Sequence, residues 1–256
     1  MTVTTEKCGP VTTVILSRAH ARNAVDPERA AELVAAFEAF EADDEARVGV
    51  FFGDHGAFCA GADLKAFAGG GDWRDWVRAD GSTAPMGPSR TVLSKPVIAA
   101  VAGYAVAGGL ELALWCDLRI VEEDAVFGVF CRRWGAPLID GGTVRLPRIV
   151  GHGRALDMIL TGRPVKADEA LAFGLANRVV PKGCARQAAE ELAAQIAAFP
   201  PLCVKSDRQS AYEQWDLPLG KALTNELRLG YATLESGETA AGVSLFASGE
   251  GRGGRF

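Results

Sequence analysis

One stretch of the chain carries most of its information: Ala105-Val106-Ala107-Gly108-Gly109-Leu110-Glu111-Leu112-Ala113-Leu114-Trp115-Cys116-Asp117. The pattern predicts a helix that is apolar on all sides, opened by two glycines and carrying one carboxylate, Glu111, in its first turn. The first N–H groups of a helix have no intrahelical acceptor, so such an end can bind an anion. Carboxylates are rarely buried without a partner or a use, and we therefore expect Glu111 to handle protons beside this helix end. A buried helix that tolerates one acid is the alternative.

Composition restricts the class of protein. The chain has 256 residues, 48% of them hydrophobic, and a net charge of −5, which argues against a nucleic-acid surface. No apolar run reaches the roughly 18–20 residues of a membrane helix, and the N-terminus lacks a signal-peptide core. The six cysteines show no CxxC spacing and the three histidines are far apart, which predicts reduced thiols and no metal site. We expect a cytoplasmic protein that binds neither membrane nor nucleic acid.

Strand-like and helix-like segments alternate in the first half of the chain. Apolar or β-branched runs predict strands at 11–16, 48–52, 96–101, 117–121 and 125–129, and one further short strand at 177–180 within the helical second half. Asp26-Pro27 predicts a helix start, and Leu33, Phe37 and Phe40 give that helix one apolar face. Residues 68–90 have a weak pattern and predict a loop or a helix and loop. The sequence therefore predicts an α/β core with right-handed crossovers.

From Gly141 onward the sequence pattern predicts mainly helices. The predicted helices are 141–149, 152–161, 167–173, 183–198, 201–213, 218–234 and 238–247. The first glycines of Gly151-His152-Gly153 resemble a dinucleotide-binding motif, but the third glycine is missing and a helix start is the better interpretation. Arg252 and Arg255 in the glycine-rich tail are candidates for contact with a ligand or a neighbouring subunit.

A second glycine-rich turn, Cys59-Ala60-Gly61-Ala62-Asp63, also precedes helix-like sequence. If it meets the turn at Gly108, one N–H from each would form a two-donor oxyanion hole for charge that develops on a carbonyl oxygen. Two unrelated packing turns are the alternative. The chain has no GxSxG and no GxxxxGK[ST] motif, which excludes a nucleophile elbow and a P-loop.

Motifs in a fixed order extend along nearly the whole chain. They occupy 17–24, 58–64, 95–105, 108–117, 141–151, 167–170 and 174–180. In this order they resemble the enoyl-CoA hydratase/isomerase (crotonase) superfamily. The resemblance implies a spiral of ββα units in residues 1–198, with an acyl-CoA site. It also implies a helical region in residues 199–256 that assembles homotrimers or hexamers built as dimers of trimers.

The resemblance also gives the two turns a role. It implies that the N–H groups of Ala62 and Gly108 polarise the thioester carbonyl of an acyl-CoA, so that coenzyme A enters with the substrate and no cofactor is implied. The residues implied to bind CoA and substrate are Arg22, Ala24, Ala60, Asp63, Leu64, Lys65, Gly109 and Cys131. Arg18, Arg22 and Lys65 are candidate partners of the CoA phosphates, with solvated surface charge as the alternative.

The sequence departs from the pattern of the hydratases at one position. Hydratases of this superfamily use two glutamates; Glu111 matches the first, and the second position falls on Cys131. A thiol is a weak hydrogen-bond donor with an ordinary pKa near 8.5, so Cys131 is a neutral filler or else a reactive thiol. Asp140 lies near the place where dienoyl-CoA isomerases carry an acid, and it is the candidate substitute. An N-cap for the helix that follows is the alternative interpretation of Asp140.

The resemblance therefore implies an enzyme that processes an enoyl-CoA through a thioester enolate. Glu111 is the principal proton-handling group, Asp140 assists it, and the reaction is a hydration, a double-bond isomerisation or another lyase or hydrolase reaction of the superfamily. A non-catalytic acyl-CoA-binding protein is the alternative of a different class. RNA binding is disfavoured by the acidic balance of the chain.

Overall fold

The computed structural model describes residues 2–69, 74, 76–78, 80–81 and 83–249. The strands in this part of the chain are β1 (Val3–Cys8), β2 (Val11–Leu16), β3 (Val48–Gly53), β4 (Val97–Val101), β5 (Tyr104–Val106), β6 (Leu118–Glu122), β7 (Val126–Gly128), β8 (Val165–Lys166) and β9 (Arg178–Val180). The α-helices are α1 (Pro27–Ala42), α2 (Leu64–Ala68), α3 (Gly108–Trp115), α4 (Gly142–Val150), α5 (His152–Thr161), α6 (Ala167–Phe173), α7 (Ala185–Ala197), α8 (Pro201–Glu213), α9 (Leu219–Glu235) and α10 (Glu238–Ser248).

The strands form two sheets. The larger sheet has the order β1-β2-β3-β4-β6-β9, and every neighbouring pair is parallel except β1 and β2. A parallel sheet is covered on both faces, so its central strands are buried along their whole length, as β2 and β4 are. The smaller sheet pairs β5 with β7 in parallel and β7 with β8 in antiparallel orientation.

An aromatic cluster fixes α3 against the larger sheet. The ring of Phe37 on α1 meets Phe51 of β3 at 5.5 Å and Trp115 at the end of α3 at 4.8 Å, both edge to face. Such pairs add about 0.5–1.5 kcal/mol to the burial of the rings. All eight residues of α3 are buried, Glu111 among them. The apolar helix predicted from the sequence is therefore a central element of the core.

Most of the predicted elements are confirmed. Asp26 caps α1 and accepts a hydrogen bond from the Arg29 N–H at 3.0 Å, and the three predicted core residues of that helix are buried. The helix start at Gly151 is also confirmed, since this glycine caps α5. All three histidines are exposed, as expected for surface residues.

Three strands were not predicted. In β1 only Val3 is buried, so this strand at the edge of the sheet lacks an apolar run. The other two, β5 and β8, have three and two residues, too few to show a period. Residues 70–73, 75, 79 and 82 of the predicted loop, and Arg252 and Arg255 of the tail, lie outside the described residues. No helix in the described part of the chain has both the length and the apolar character that crossing a membrane requires.

Candidate active site

The two glycine-rich turns lie in direct backbone contact. Bridges pair Cys59 with Ala105, and a Cβ atom on Gly109 would lie 2.0 Å from the carbonyl oxygen of Cys59. A Cβ atom on Gly61 would lie 3.0 Å from the nitrogen of Gly108. Only glycine allows this approach at either position. The expectation that the turns meet is confirmed.

The meeting point presents two N–H groups without a protein acceptor. Within the described residues, neither the Ala62 N–H nor the Gly108 N–H donates a hydrogen bond to the protein. The chain enters α3 through Ala107, whose φ of 54° is rare for a residue with a side chain and costs on the order of 1–3 kcal/mol. This strained residue turns the backbone from β5 into the helix, and Gly108 follows as the first residue of α3.

A cavity of about 630 Å³ opens in front of both turns. Its lining includes Ala62 and Gly108 with the side chains of Glu111, Asp140 and Cys131. The remaining lining in the described part of the chain is apolar or backbone: Ala60, Leu64, Phe67, Val77, Pro85, Met86, Ala107, Phe130, Trp134, Gly135, Ala136, Pro137 and Ile139. The cavity therefore places two carboxyl groups in a mostly apolar environment, close to two unoccupied backbone donors.

Glu111 is oriented by backbone amides from a distant segment. Its Oε1 atom accepts hydrogen bonds from the N–H groups of Asp140, at 2.9 Å, and Gly142, at 2.8 Å. A Cβ atom on Gly142 would lie 2.8 Å from that same oxygen, so glycine is required for the contact. Burial raises the pKa of Glu111 to about 7, and the negative charge of Asp140 acts in the same direction. Glu111 can therefore take up or release a proton near neutral pH.

Asp140 is the second buried carboxyl group of the cavity. Its Oδ1 atom accepts hydrogen bonds from the Ser89 hydroxyl at 2.6 Å and the Met86 N–H at 3.1 Å. Burial raises its pKa, while these two donors oppose the rise. The interpretation of Asp140 as a helix cap is wrong. Gly141, with a φ of 94°, is the N-cap of α4, and no side chain caps that helix.

Cys131 lies in a short 3-10 helix, Phe130–Trp134, at the edge of the cavity. The side chain is buried, and this burial raises the pKa of its thiol, as does the negative charge of Glu111. The thiol is therefore protonated at neutral pH, which favours the neutral filler over the reactive thiolate.

Comparison with known proteins identifies the family of this site. Residues 6–251 match the family model described as Enoyl-CoA hydratase/isomerase. The chain is 36% identical to Enoyl-CoA hydratase EchA19 of Mycobacterium tuberculosis over 252 residues, 94% of this chain and 92% of the relative. It is 37% identical to (E)-benzylidenesuccinyl-CoA hydratase of Thauera aromatica over 222 residues, 86% of this chain and 85% of that protein.

Solved structures agree with the sequence comparison. The crystal structure of an enoyl-CoA hydratase from Mycobacterium tuberculosis H37Rv superposes with a TM-score of 0.89 at 32% identity, covering 96% of each chain. The chain belongs to the enoyl-CoA hydratase/isomerase family. Its fold is the α/β crotonase fold, with two sheets followed by C-terminal helices, as the resemblance of its motifs implied.

Seven of the predicted site residues of this family member line the cavity. They are Ala60, Ala62, Leu64, Gly108, Glu111, Cys131 and Asp140. Gly109 packs behind them on Cys59, and Ala24 is buried outside the lining. Arg22 and Lys65 are exposed and also lie outside it.

Two candidate charged residues near the Cys59–Asp63 turn, Asp63 and Arg18, form an ion pair with each other. Asp63 caps α2, accepting from the N–H groups of Lys65 and Ala66. The guanidinium of Arg18 donates to Asp63 at 2.7 Å and lies 3.1 Å from Asp26. Arg18 is therefore committed to carboxylates of the protein, which leaves Arg22 and Lys65 as the freer candidates for phosphate contact.

Sequence reasoning missed the residues that hold the carboxyl groups. Ser89 and Met86 fall in the weakly patterned segment 68–90, where no period marks them. Arg145 lies in one of the motifs on which the resemblance to the family rests. A charged residue in a helix with an apolar face was the signal that could have identified it.

Proposed function

We propose that this family member transfers protons at the α-carbon of an enoyl-CoA through a thioester enolate. The observation that carries the proposal is the position of Glu111, with a pKa of about 7, in the first turn of α3. The Gly108 N–H of the same helix has no acceptor in the described part of the chain, and both residues line one cavity. A general base works best when its pKa is near the working pH. Glu111 is therefore the proton-transfer group and Asp140 its assistant.

The two free N–H groups supply the charge stabilisation. With the thioester oxygen between the amides of Ala62 and Gly108, negative charge that develops on that oxygen is stabilised by two fixed donors. One such donor typically contributes ~10²–10³ in rate. The α-proton then leaves to, or arrives from, the free Oε2 atom of Glu111, whose Oε1 atom is held by the two amides.

Hydration is the first candidate reaction. Two carboxyl groups in one apolar cavity raise each other's pKa, so one can hold a proton while the other is ionised. Glu111 and Asp140 thereby supply an acid and a base for the addition of water. The names of the two relatives described above, both hydratases, support this reaction.

Double-bond isomerisation is the second candidate, and Cys131 favours it. A neutral thiol does not activate water as a carboxylate does, which leaves the second glutamate of the hydratases without a direct substitute. Moving a proton from one carbon of the acyl chain to another needs only the enolate and the two carboxyl groups that are present.

Product masses in D₂O distinguish these candidates. The enzyme is incubated with saturated and unsaturated acyl-CoA thioesters, short, long and aromatic, and the products are followed by mass spectrometry. Gain of a whole D₂O molecule identifies hydration, and deuterium incorporation without addition identifies isomerisation through the enolate. Tight binding without any change would contradict the proposal and favour a non-catalytic acyl-CoA-binding protein.

Residues 199–256 form the proposed assembly region, and residues 1–198 the catalytic unit. Several large apolar side chains of α9 and α10 are exposed in the single chain: Leu219, Leu223, Leu227, Tyr231, Leu234, Val243, Leu245 and Phe246. Exposed apolar surface of this extent is typical of an interface. We propose a cytoplasmic homotrimer or a dimer of trimers, which light scattering on the purified protein distinguishes from a monomer.

A further inference from the structure

Arg145, on the first turn of α4, joins the two segments that hold the carboxyl groups. Its Nη1 atom donates to the carbonyl oxygen of Asp140 at 3.0 Å, and its Nη2 atom donates to that of Ser89 at 2.7 Å. A Cβ atom on Gly141 would lie 2.2 Å from Nη1, so the glycine leaves room for the guanidinium directly beneath the turn.

The same two segments supply the hydrogen bonds inside the cavity. The Asp140 N–H orients Glu111, and the Ser89 hydroxyl orients Asp140. A shift of either segment therefore changes the position of both carboxyl groups. A planar guanidinium can donate to both carbonyls at once in a fixed geometry, which a lysine ammonium matches less well.

Arg145 also places a positive charge behind the carboxyl groups. No carboxylate in the described part of the chain lies within ion-pair distance of it. The charged and titratable groups that face this network are Glu111, Asp140, Arg90, Arg145, Cys116, Cys131 and Tyr212. Among them Arg145 acts on both carboxyl groups and lowers the pKa of each, against the effect of burial.

We propose that Arg145 is a positioning residue, which fixes Glu111 and Asp140 relative to each other by tying the Asp140 segment to the Ser89 segment. The inference rests on the proposed role of the two carboxyl groups in proton transfer. It assigns Arg145 no contact with the substrate, since this residue is absent from the described lining of the substrate cavity.

A second cavity gives experimental access to this guanidinium. It has a volume of about 620 Å³, and Ser89, Gly141 and Arg145 form the wall that it shares with the carboxyl network. Arg148 lies on the same helix and lines the same cavity, but its guanidinium stacks over the Trp215 ring and makes no described bond to Asp140 or Ser89. Arg148 is therefore a matched control for the loss of one arginine.

The first test compares R145A, R145K and R148A in the assembled enzyme. Misplacement of catalytic groups by about 1 Å can cost ~10²-fold, so we expect kcat of R145A to fall by about that factor with KM changed little. R145K keeps the charge and one donor nitrogen, and should recover part of kcat. R148A should stay within about twofold of the unmodified protein, since it leaves the carbonyl contacts intact. Equal losses in R145A and R148A would overturn the proposal.

Chemical rescue separates the lost group from general damage to the fold. Methylguanidinium at a non-denaturing concentration can enter the second cavity and occupy the space left in R145A. We expect it to restore part of kcat in R145A and to have no such effect on R148A or the unmodified enzyme. Absence of rescue, together with equal thermal stability of R145A and R148A, would contradict the positioning role.

The last readout does not depend on turnover. Glutamate labelled with ¹³C at the side-chain carboxyl reports the titration of Glu111 by NMR, assigned with E111Q. The pKa of Glu111 should rise in R145A, because the Asp140 N–H that lowers this pKa loses its support and the positive charge of Arg145 is lost as well. It should return towards its original value in R145K, which keeps the charge and part of the support. An unchanged pKa in R145A would overturn the proposal. If R145A does not fold, R145K and R145Q give the same comparison. If no enoyl-CoA reacts with the unmodified protein, the proposed function is contradicted. The titration of Glu111 in R145A still tests whether Arg145 positions the carboxyl groups.

Discussion

Two cavities of nearly equal volume lie on opposite sides of the segment from Asp140 to Arg145, and they differ in what their polar groups do. The cavity in front of the two turns, of about 630 Å³, contains few polar groups. Within the described part of the chain, several of them lack protein partners: the N–H groups of Ala62 and Gly108 and one oxygen of each carboxyl group. The arginine-lined cavity, of about 620 Å³, contains many more charges.

Most of the charges in the arginine-lined cavity are bonded to the protein. Arg119 donates to the carbonyls of Leu175, Ala113 and Cys116 and to the amide oxygen of Asn177. Asp117 accepts from Val97, Arg208 and Tyr212. These bonds join the C-terminal end of α3 to β4, to α8 and to the segment between α6 and β9. Polar groups without described protein partners, more than cavity size or charge, therefore distinguish the proposed active site from the second cavity.

The largest effect on kcat should follow from removing the carboxylate of Glu111 in the first turn of α3. Glu111→Gln keeps an oxygen that can accept from the Asp140 and Gly142 amides but cannot exchange a proton. We expect kcat to fall by roughly 10²–10⁴ while acyl-CoA binding, measured by calorimetry, is retained. Glu122→Gln is the control, because Glu122 is equally buried but lies at the end of β6, outside both cavities. Near-normal turnover of E111Q would show that the free carboxyl oxygen is not the reactive group.

The free amide of Gly108 can be tested with a neighbouring glycine as its control. In G108A the new Cβ would meet the side chain of Met86, 2.4 Å from its sulfur, and this flexible side chain can move. We expect a folded protein whose kcat falls by roughly 10²–10³, because the added methyl group and the displaced Met86 side chain take up space in the cavity and keep the proposed thioester oxygen from the Gly108 N–H. In G109A the Cβ would meet the Cys59 carbonyl instead, so stability falls first. Urea unfolding and steady-state kinetics on both variants separate the two effects, and unchanged kcat in G108A would remove Gly108 from the proposed oxyanion hole.

The sequence predicted the residues of the cavity in front of the two turns better than those of the arginine-lined cavity. Local patterns sufficed for the two turns, for α3 and for Glu111, because glycine spacing and a lone acid in an apolar helix are visible within a dozen residues. The partners of Glu111 are 29 and 31 residues away, and those of Asp140 lie in a segment with no period. Such contacts depend on how the sheets and helices pack, which short-range patterns do not encode. The arginine-lined cavity was not predicted at all, since its residues come from distant elements and belong to no single motif.

The raised pKa of Glu111 also predicts how stability depends on pH. A carboxyl group with a folded-state pKa of about 7 and an ordinary value of 4.5 stabilises the fold below pH 4.5, and this contribution is lost as pH rises through about 7. At 1.36 kcal/mol per unit the loss is on the order of 3 kcal/mol, and E111Q should not show it. Urea unfolding of both proteins at about pH 5 and about pH 8 should show E111Q gaining stability relative to the unmodified protein at the higher pH. A constant difference would mean that Glu111 titrates as an ordinary glutamate.

The smallest effect on activity should come from Asp117, whose carboxylate accepts three hydrogen bonds at the arginine-lined cavity. Asp117→Asn removes the charge that Arg208 and Tyr212 contact at 2.8 and 2.7 Å, and one oxygen of this side chain becomes an amide group. Hydrogen bonds to a charged group contribute about 1.5–3 kcal/mol, so we expect the free energy of unfolding to fall by about 2 kcal/mol. The kcat of the folded fraction should not change, because Asp117 reaches neither the free amides nor the cavity carboxyl groups. Thermal unfolding gives the stability, and active-site titration corrects kcat for unfolded protein. A fall in corrected kcat comparable to that of E111Q would show that the charges of the second cavity take part in the reaction, and the distinction between the two cavities would then not hold.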